Sequence, residues 1–222
     1  MAVALIVAAG RGERLGSGRA KALVLLCGRP MLEWSVASLR AVADVRTVVV
    51  ALPADELASA PEGTIAVAGG EQRSHSVRAA LAACDGDDPV IVHDAARPLA
   101  SPQLFAHALA ELERAPEADA VIAAAPVTDT IKEVGDDGRT VQRTLPRARL
   151  WAAQTPQVFR RSALVRALAC SDAELAQATD DAWLVERLGG VVHVVGSDPG
   201  NMKITTREDL RVADLLLSQR GS

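Results

Sequence analysis

Short unbroken apolar runs recur along the chain, separated by stretches of helical period. The runs are 3–8 (VALIVA), 47–52 (TVVVAL), 64–68 (TIAVA), 90–93 (VIVH), 120–125 (AVIAAA), 191–196 (VVHVVG) and 202–205 (MKIT). Continuous apolar runs without polar alternation predict strands of a parallel sheet covered on both faces. Helices are predicted over 30–43, 76–84, 102–114, 161–170, 173–188 and 207–218. In the first, Pro30 suits the opening helical position, and Leu32, Val36, Leu39 and Ala43 form one apolar stripe. Thr206 with Asp209 resembles a capping box that opens the last helix. This alternation predicts an α/β fold, a Rossmann-like doubly wound and mostly parallel sheet with right-handed crossovers, in a single domain over 1–222.

One segment, 127–150, breaks the alternation. IKEV and RTVQRT flank Gly135-Asp136-Asp137-Gly138, which predicts a hairpin with a turn-rich tip. The segment carries Arg139, Arg143, Arg147 and Arg149 and few residues that could bury it. A two-stranded arm of this kind is marginal alone. It is expected to protrude and to be stabilised by a second subunit, giving a homodimer through 127–150.

Composition narrows the partners. The net charge is -4 over 222 residues, half of them hydrophobic (49%), which argues against a general nucleic-acid or membrane-surface binder. No apolar run approaches the roughly 20 residues of a membrane span, and the start lacks a signal peptide's basic segment and cleavage site. Cys27, Cys84 and Cys170 form no C-x-x-C pair and no metal-ligand spacing, and read as buried, reduced thiols of a cytoplasmic protein. The only lysines are Lys21, Lys132 and Lys203. A chain so biased toward arginine is expected to keep lysine where a compact ammonium is needed.

Ligands of doubly wound sheets bind beyond the carboxyl ends of the strands. The first such loop, Ala9 to Gly16, has the spacing G-x-G-x-x-x-G rather than the dinucleotide G-x-G-x-x-G, and the second strand ends Ala51-Leu52-Pro53 without a ribose-binding acid. Its glycines expose amides to phosphate. Arg11, Arg14, Arg19 and Lys21 stand against Glu13 alone, which suits a triphosphate better than a diester pyrophosphate; a solvated basic turn is the alternative. In the loop Gly69-Gly70-Glu71-Gln72-Arg73-Ser74, the glycines expose backbone again, and Ser76 either caps a helix or bonds a base edge. The fourth strand ends His93-Asp94-Ala95-Ala96-Arg97-Pro98. Asp94 could hold Mg²⁺ or a substrate hydroxyl, and Arg97 hydroxyls or phosphate; a local Asp94–Arg97 ion pair is the alternative. His93 is expected to stack or bond within the core. Asp129-Thr130, Thr155-Pro156-Gln157, Thr179-Asp180-Asp181 and Gly200-Asn201-Met202-Lys203 suit a polyol phosphate, or are ordinary caps and turns.

VAAGRGERLGSGRAKAL, GGEQRSHSV, HDAARP, TDTIK, LWAAQTPQVF, TDDA and GNMKIT together resemble, in order and spacing, the 2-C-methyl-D-erythritol 4-phosphate cytidylyltransferase family, nucleotidyltransferases of glycosyltransferase-A-like fold. The resemblance covers essentially the whole chain, and HDAARP and the TPQ segment are its specific parts. It implies transfer of CMP from CTP to methylerythritol phosphate, with Mg²⁺ and release of pyrophosphate, on the route to isoprenoids. It implies that Arg14 and Lys21 stabilise charge at the α-phosphate, and that Arg147 and Lys203 position the attacking phosphate, Arg147 from the partner's arm. It matches Ala8, Ala9, Gly10, Gly12, Gly70, Glu71 and Ser76, with Arg14 and Lys21, to CTP binding. It matches Asp94, Arg97, Thr130, Thr155 and Thr179 to polyol and active-site contacts, with Asp94 the candidate metal ligand. The family pattern is departed from at Val7 and Gly200, in Ala20-Lys21-Ala22, and at Glu71. The rivals are a ribitol 5-phosphate (pentitol phosphate) cytidylyltransferase, a nicotinamide-dependent oxidoreductase, against which the glycine spacing and missing acid count, and a non-catalytic nucleotide sensor.

Overall fold

The computed structural model of the chain describes residues 1–12, 20–86 and 88–220. The strands are β1 (Ala2–Val7), β2 (Leu25–Leu26), β3 (Arg29–Pro30), β4 (Val45–Leu52), β5 (Ile65–Ala68), β6 (Val90–Asp94), β7 (Ala120–Pro126), β8 (Lys132–Val134), β9 (Val141–Thr144), β10 (Trp151–Phe159) and β11 (Val192–Gly196). The helices are α1 (Met31–Arg40), α2 (Arg73–Ala82), α3 (Pro102–Arg114), α4 (Arg161–Leu168), α5 (Asp172–Gln177), α6 (Asp181–Arg187) and α7 (Arg207–Arg220).

Seven strands form one sheet in the order β11-β7-β10-β6-β1-β4-β5, parallel except for β10. Side chains alternate across a strand, so one apolar run feeds two cores. Ala4, Ile6, Val48, Val50 and Ile91 face α1 and α3 through Leu32, Val36, Leu39, Phe105 and Leu112. Val3, Leu5, Val49, Val90 and Val92 face α2, α4 and α6 through Val77, Leu81, Leu164, Leu168 and Leu184. Both faces are covered, as the unbroken runs require. A third cluster packs α7, through Ala213 and Leu217, against Leu26, Met31, Leu99 and Ile204. The expected capping box opens α7: Asp209 N donates to Thr206 Oγ1 (3.1 Å) and Thr206 N to Asp209 Oδ2 (2.8 Å).

Three expectations are corrected. Residues 202–205 are not a strand: Ile204 N donates one bond, to Ala96 O at 2.8 Å, and the segment joins no ladder. The stretch 173–188 is not one helix. It breaks after Gln177 because Asp180 turns in to cap a new helix, accepting from Trp183 N at 2.8 Å. Lastly, β10 goes unannounced by any apolar run. Pro156 argues against a central strand, and it sits where the β10–β7 register shifts, between Ala153 and Gln157.

The expected hairpin forms within 127–150. β8 and β9 pair antiparallel, with Gly138 at φ +65° in the turn. Its links are exposed ones: Lys132 Nζ to Thr144 Oγ1 (2.8 Å) and Arg143 Nε to Glu133 Oε2 (2.7 Å). Val134 and Val141 face outward, uncovered by the rest of the chain.

Candidate active site

Three loops at the carboxyl ends of β1, β5 and β6 meet the segment that leads into α7, around a cleft of about 410 Å³. Ala8, Ala9, Gly10, Gly12, Lys21, Gly70, Glu71, Ser76, Asp94 and Lys203, all singled out in the sequence, line it. Gly12 makes the first loop possible. Its φ is +67°, and a Cβ there would meet Lys21 Cβ at 2.8 Å. The loop can therefore fold back on Lys21, whose N–H donates to Gly10 O at 3.0 Å. Gly69 brings the second loop equally close, since a Cβ would meet Ser76 Oγ at 2.8 Å. Ser76 lies inside α2 rather than at its cap, and its hydroxyl accepts from Gly70 N at 3.1 Å. Arg14 lies outside the described residues.

Asp94 is the electrostatic centre. Its Oδ1 accepts from Arg73 Nε (2.9 Å) and its Oδ2 from Lys203 Nζ (2.7 Å). Arg73 also pairs with Asp181, which is fully buried. The expected alternative, an Asp94–Arg97 pair, is not what forms. Burial alone would raise the Asp94 carboxyl, but Arg73 and Lys203 hold it well below the usual carboxylate range. Burial works against the Arg73 charge, yet Asp181 and Asp94 raise its pKa further above the ordinary value. Asp181 is pushed up by burial, with Arg73 pulling back.

Beneath this lies a second layer. Asp94 N donates to Thr155 Oγ1 (3.0 Å), and that hydroxyl meets His93 Nδ1 at 3.0 Å. His93 Nε2 lies 3.3 Å from Arg97 O, and its ring meets Phe105 edge-on. These partners assign the Nε2–H tautomer. Burial pulls the imidazole pKa down to about 4, so His93 bonds within the core as a neutral ring. Arg97 is buried and donates to Asn201 O (2.7 Å), while Asn201 Nδ2 donates to Thr155 O (2.9 Å). Arg97 and Thr155 therefore brace the loop that carries Lys203. Thr130, Thr179 and Arg147 are exposed, and Arg147, carried on the arm just past β9, donates to Thr128 O at 2.6 Å. None of these three lines the cleft.

Sequence reasoning quoted Arg73 and Asp181 but gave neither a role. Two consecutive acids before a helix were the available signal: one suffices as the cap, which leaves the other for a cation. Among the described residues no group of three or more His, Cys, Asp and Glu could hold a metal. A Mg²⁺ would rest on Asp94 and substrate phosphates. That donor set suits the ion, since Mg²⁺ takes one or two carboxylates and completes its shell with phosphate and water.

Glycine amides and lysine converge at the first strand end, a carboxylate held between cations stands at β6, and no acid closes β4. Together these define a nucleotidyltransferase. The model of the 2-C-methyl-D-erythritol 4-phosphate cytidylyltransferase (IspD) family matches residues 2–219. A curated member from Frankia casuarinae is 48% identical over 97% of this chain and 81% of its own length. One from Nocardia farcinica is 45% identical over 99% and 95%. The crystal structure of the Thermus thermophilus enzyme of that name superposes with a TM-score of 0.80, at 35% identity, over 98% of this chain and all of that one (100%). The chain belongs to this family and is a cytidylyltransferase.

Proposed function

We propose that the cleft binds CTP and that the chain transfers CMP to the phosphate of 2-C-methyl-D-erythritol 4-phosphate, releasing pyrophosphate. The observation that carries this reading is the pairing of a glycine-and-lysine loop with the Asp94–Lys203 pair across one cleft. The acceptor is a phosphate monoester, already an anionic nucleophile, so the reaction needs no strong base. It needs two polyanions held in line and charge met where it develops. Lys21 lines the cleft on the triphosphate side and would meet the charge that develops there, a role the family pattern also gives to Arg14. Lys203 faces the acceptor. Asp94 would hold Mg²⁺, which would neutralise triphosphate charge when bound.

The arm supports a homodimer. It carries Arg147 and exposed Val134 and Val141, and has no core of its own. In this reading it lies against a second copy and lends Arg147 to that copy's acceptor site. Of the three cysteines expected to be buried, only Cys84 is; Cys170 is partly buried and Cys27 exposed. All three are free, which fits a cytoplasmic enzyme, and among the described residues no helix is long and apolar enough to cross a membrane.

The test is pyrophosphate release from CTP with Mg²⁺, comparing 2-C-methyl-D-erythritol 4-phosphate with ribitol 5-phosphate. Turnover with the first alone is expected, and loss of turnover with EDTA. Turnover with ribitol 5-phosphate alone would move the substrate assignment to the pentitol phosphates.

A further inference from the structure

Asp181 is fully buried at the first position of α6. The acid before it already serves the helix start: Asp180 accepts from Trp183 N, and its other oxygen takes Gln157 Nε2 at 2.8 Å. A second carboxylate here is expensive to bury unless its charge is used. Its partner is Arg73, 108 residues away in the chain.

Arg73 is shared between two acids. Nη1 goes to Asp181 and Nε to Asp94 Oδ1, while Asp94 Oδ2 takes Lys203. A guanidinium facing one carboxylate prefers two parallel bonds. Here the fork is split, and Arg73 Nη2 and Asp181 Oδ1 are buried without a hydrogen-bond partner. Split in this way, Arg73 meets only one oxygen of Asp94, and the other stays with Lys203.

We propose that Asp181 is a positioning residue for the acceptor half of the reaction, acting through Arg73 and Asp94 to fix the Lys203 ammonium at the cleft. This rests on the reaction proposed above. The four groups balance, two carboxylates against two cations. Without the Asp181 charge, the Arg73 fork closes on both Asp94 oxygens and releases Lys203. The first glycine loop, on the CTP side, is held by a separate bond, Lys21 N to Gly10 O at 3.0 Å. The break between α5 and α6 thereby gains a purpose: a continuous helix could not present one acid as cap and the next to Arg73.

The experiment is steady-state kinetics of Asp181→Asn beside wild type, varying each substrate in turn, with thermal melting as the fold control. The expected result is a KM for 2-C-methyl-D-erythritol 4-phosphate raised by about tenfold or more, as for a lost charged contact, and raised by clearly more than the CTP KM, which feels the change only through the Asp94 carboxylate. A merely structural role would lower the active fraction or move both constants together, and either result overturns the proposal. So does an unchanged acceptor KM. Arg73→Lys is the second variant: it keeps the charge but cannot touch both carboxylates, so it should give the same split. Failure of both variants to fold would make the relay structural and overturn its positioning role. A folded wild type inactive with both substrates would overturn the reaction reading itself, and is distinguished by running that control first.

Discussion

At the cleft, Asp94 gathers Arg73 from 21 residues away and Lys203 from 109 away, with its own carboxylate almost out of water. On the arm, Glu133 meets Arg143 across 10 residues, with both side chains open to solvent. The three pairs have similar lengths, 2.7–2.9 Å, but those of the cleft and that of the arm have very different consequences. An exposed pair contributes about 0–1 kcal/mol, and its loss leaves two hydrated charges. Removing one partner of a buried pair strands a charge at a cost of about 3–5 kcal/mol. The cleft is thus rigid by construction from this chain's own core. The arm is ordered only by its ladder and turn, so its rigidity has to come from elsewhere. That contrast is the physical argument for a second copy of the chain.

The most drastic way to break the contrast is to remove the arm. Deleting 132–147 should abolish the proposed dimer and lower turnover by more than roughly 10³-fold, because in that reading Arg147 reaches the acceptor site of the second copy. Melting of the remaining core should move little, since neither apolar cluster on the sheet includes arm residues. Light scattering and pyrophosphate release read the two effects. A fully active monomer would end the cross-subunit reading.

Next in size is Lys203→Ala, expected to lower kcat/KM by roughly 10²–10³-fold, the scale for removing one donor to a developing charge. The fold should survive, because Asp94 keeps Arg73. A loss below tenfold would mean that Lys203 serves the network more than the substrate.

A buried group at the cleft also predicts a pH dependence. His93 ordinarily titrates near 6.5, but burial holds it down to about 4 in the folded chain. Between those values the unfolded chain binds the extra proton, so stability rises with pH through this window and is lost as pH falls from 6.5 toward 4. At pH 5 the loss from this one group is about 2 kcal/mol. Urea unfolding at pH 7 and pH 5 should show it, and His93→Gln should flatten the difference by a similar amount. Equal slopes in the two proteins would mean that His93 is not held neutral.

The two regions also differ in how far the sequence reveals them. The arm was legible because its determinants are local: Gly135 to Gly138 set the turn, and the flanking strands pair nearby. The first loop was legible for the same reason, Gly12 and Lys21 being close in the chain. The relay at Asp94 was not. Its members lie up to 109 residues apart, and each looks ordinary where it stands. Arg73 reads as the start of a helix and Asp181 as part of a cap. β10 was hidden because Thr155, Pro156 and Gln157 answer to the site beneath Asp94 rather than to strand propensity, a local rule broken where function sits. The strand 202–205 was overcalled for the converse reason: MKIT is apolar because Ile204 packs under α7, not because it joins the sheet.

The smallest effect sharpens the contrast most directly, because it asks whether the arm is ordered locally at all. Asp137 is exposed at the arm tip and accepts from the Thr140 hydroxyl and from the N–H groups of Arg139 and Thr140. Those bonds, the Thr140 hydroxyl first, lower its pKa to about 2. The cause is the opposite of that at His93: hydrogen bonding to the charged form, not burial. Its stabilising contribution is fully present above the ordinary value of 3.8 and is lost as pH falls through 2. The Asp137 side-chain resonance should therefore stay flat from pH 5 to 3, where an ordinary aspartate passes its midpoint, and the Thr140 amide should stay flat with it. A midpoint near 4 would show the tip unformed in solution, and the arm would then owe even its turn to the partner.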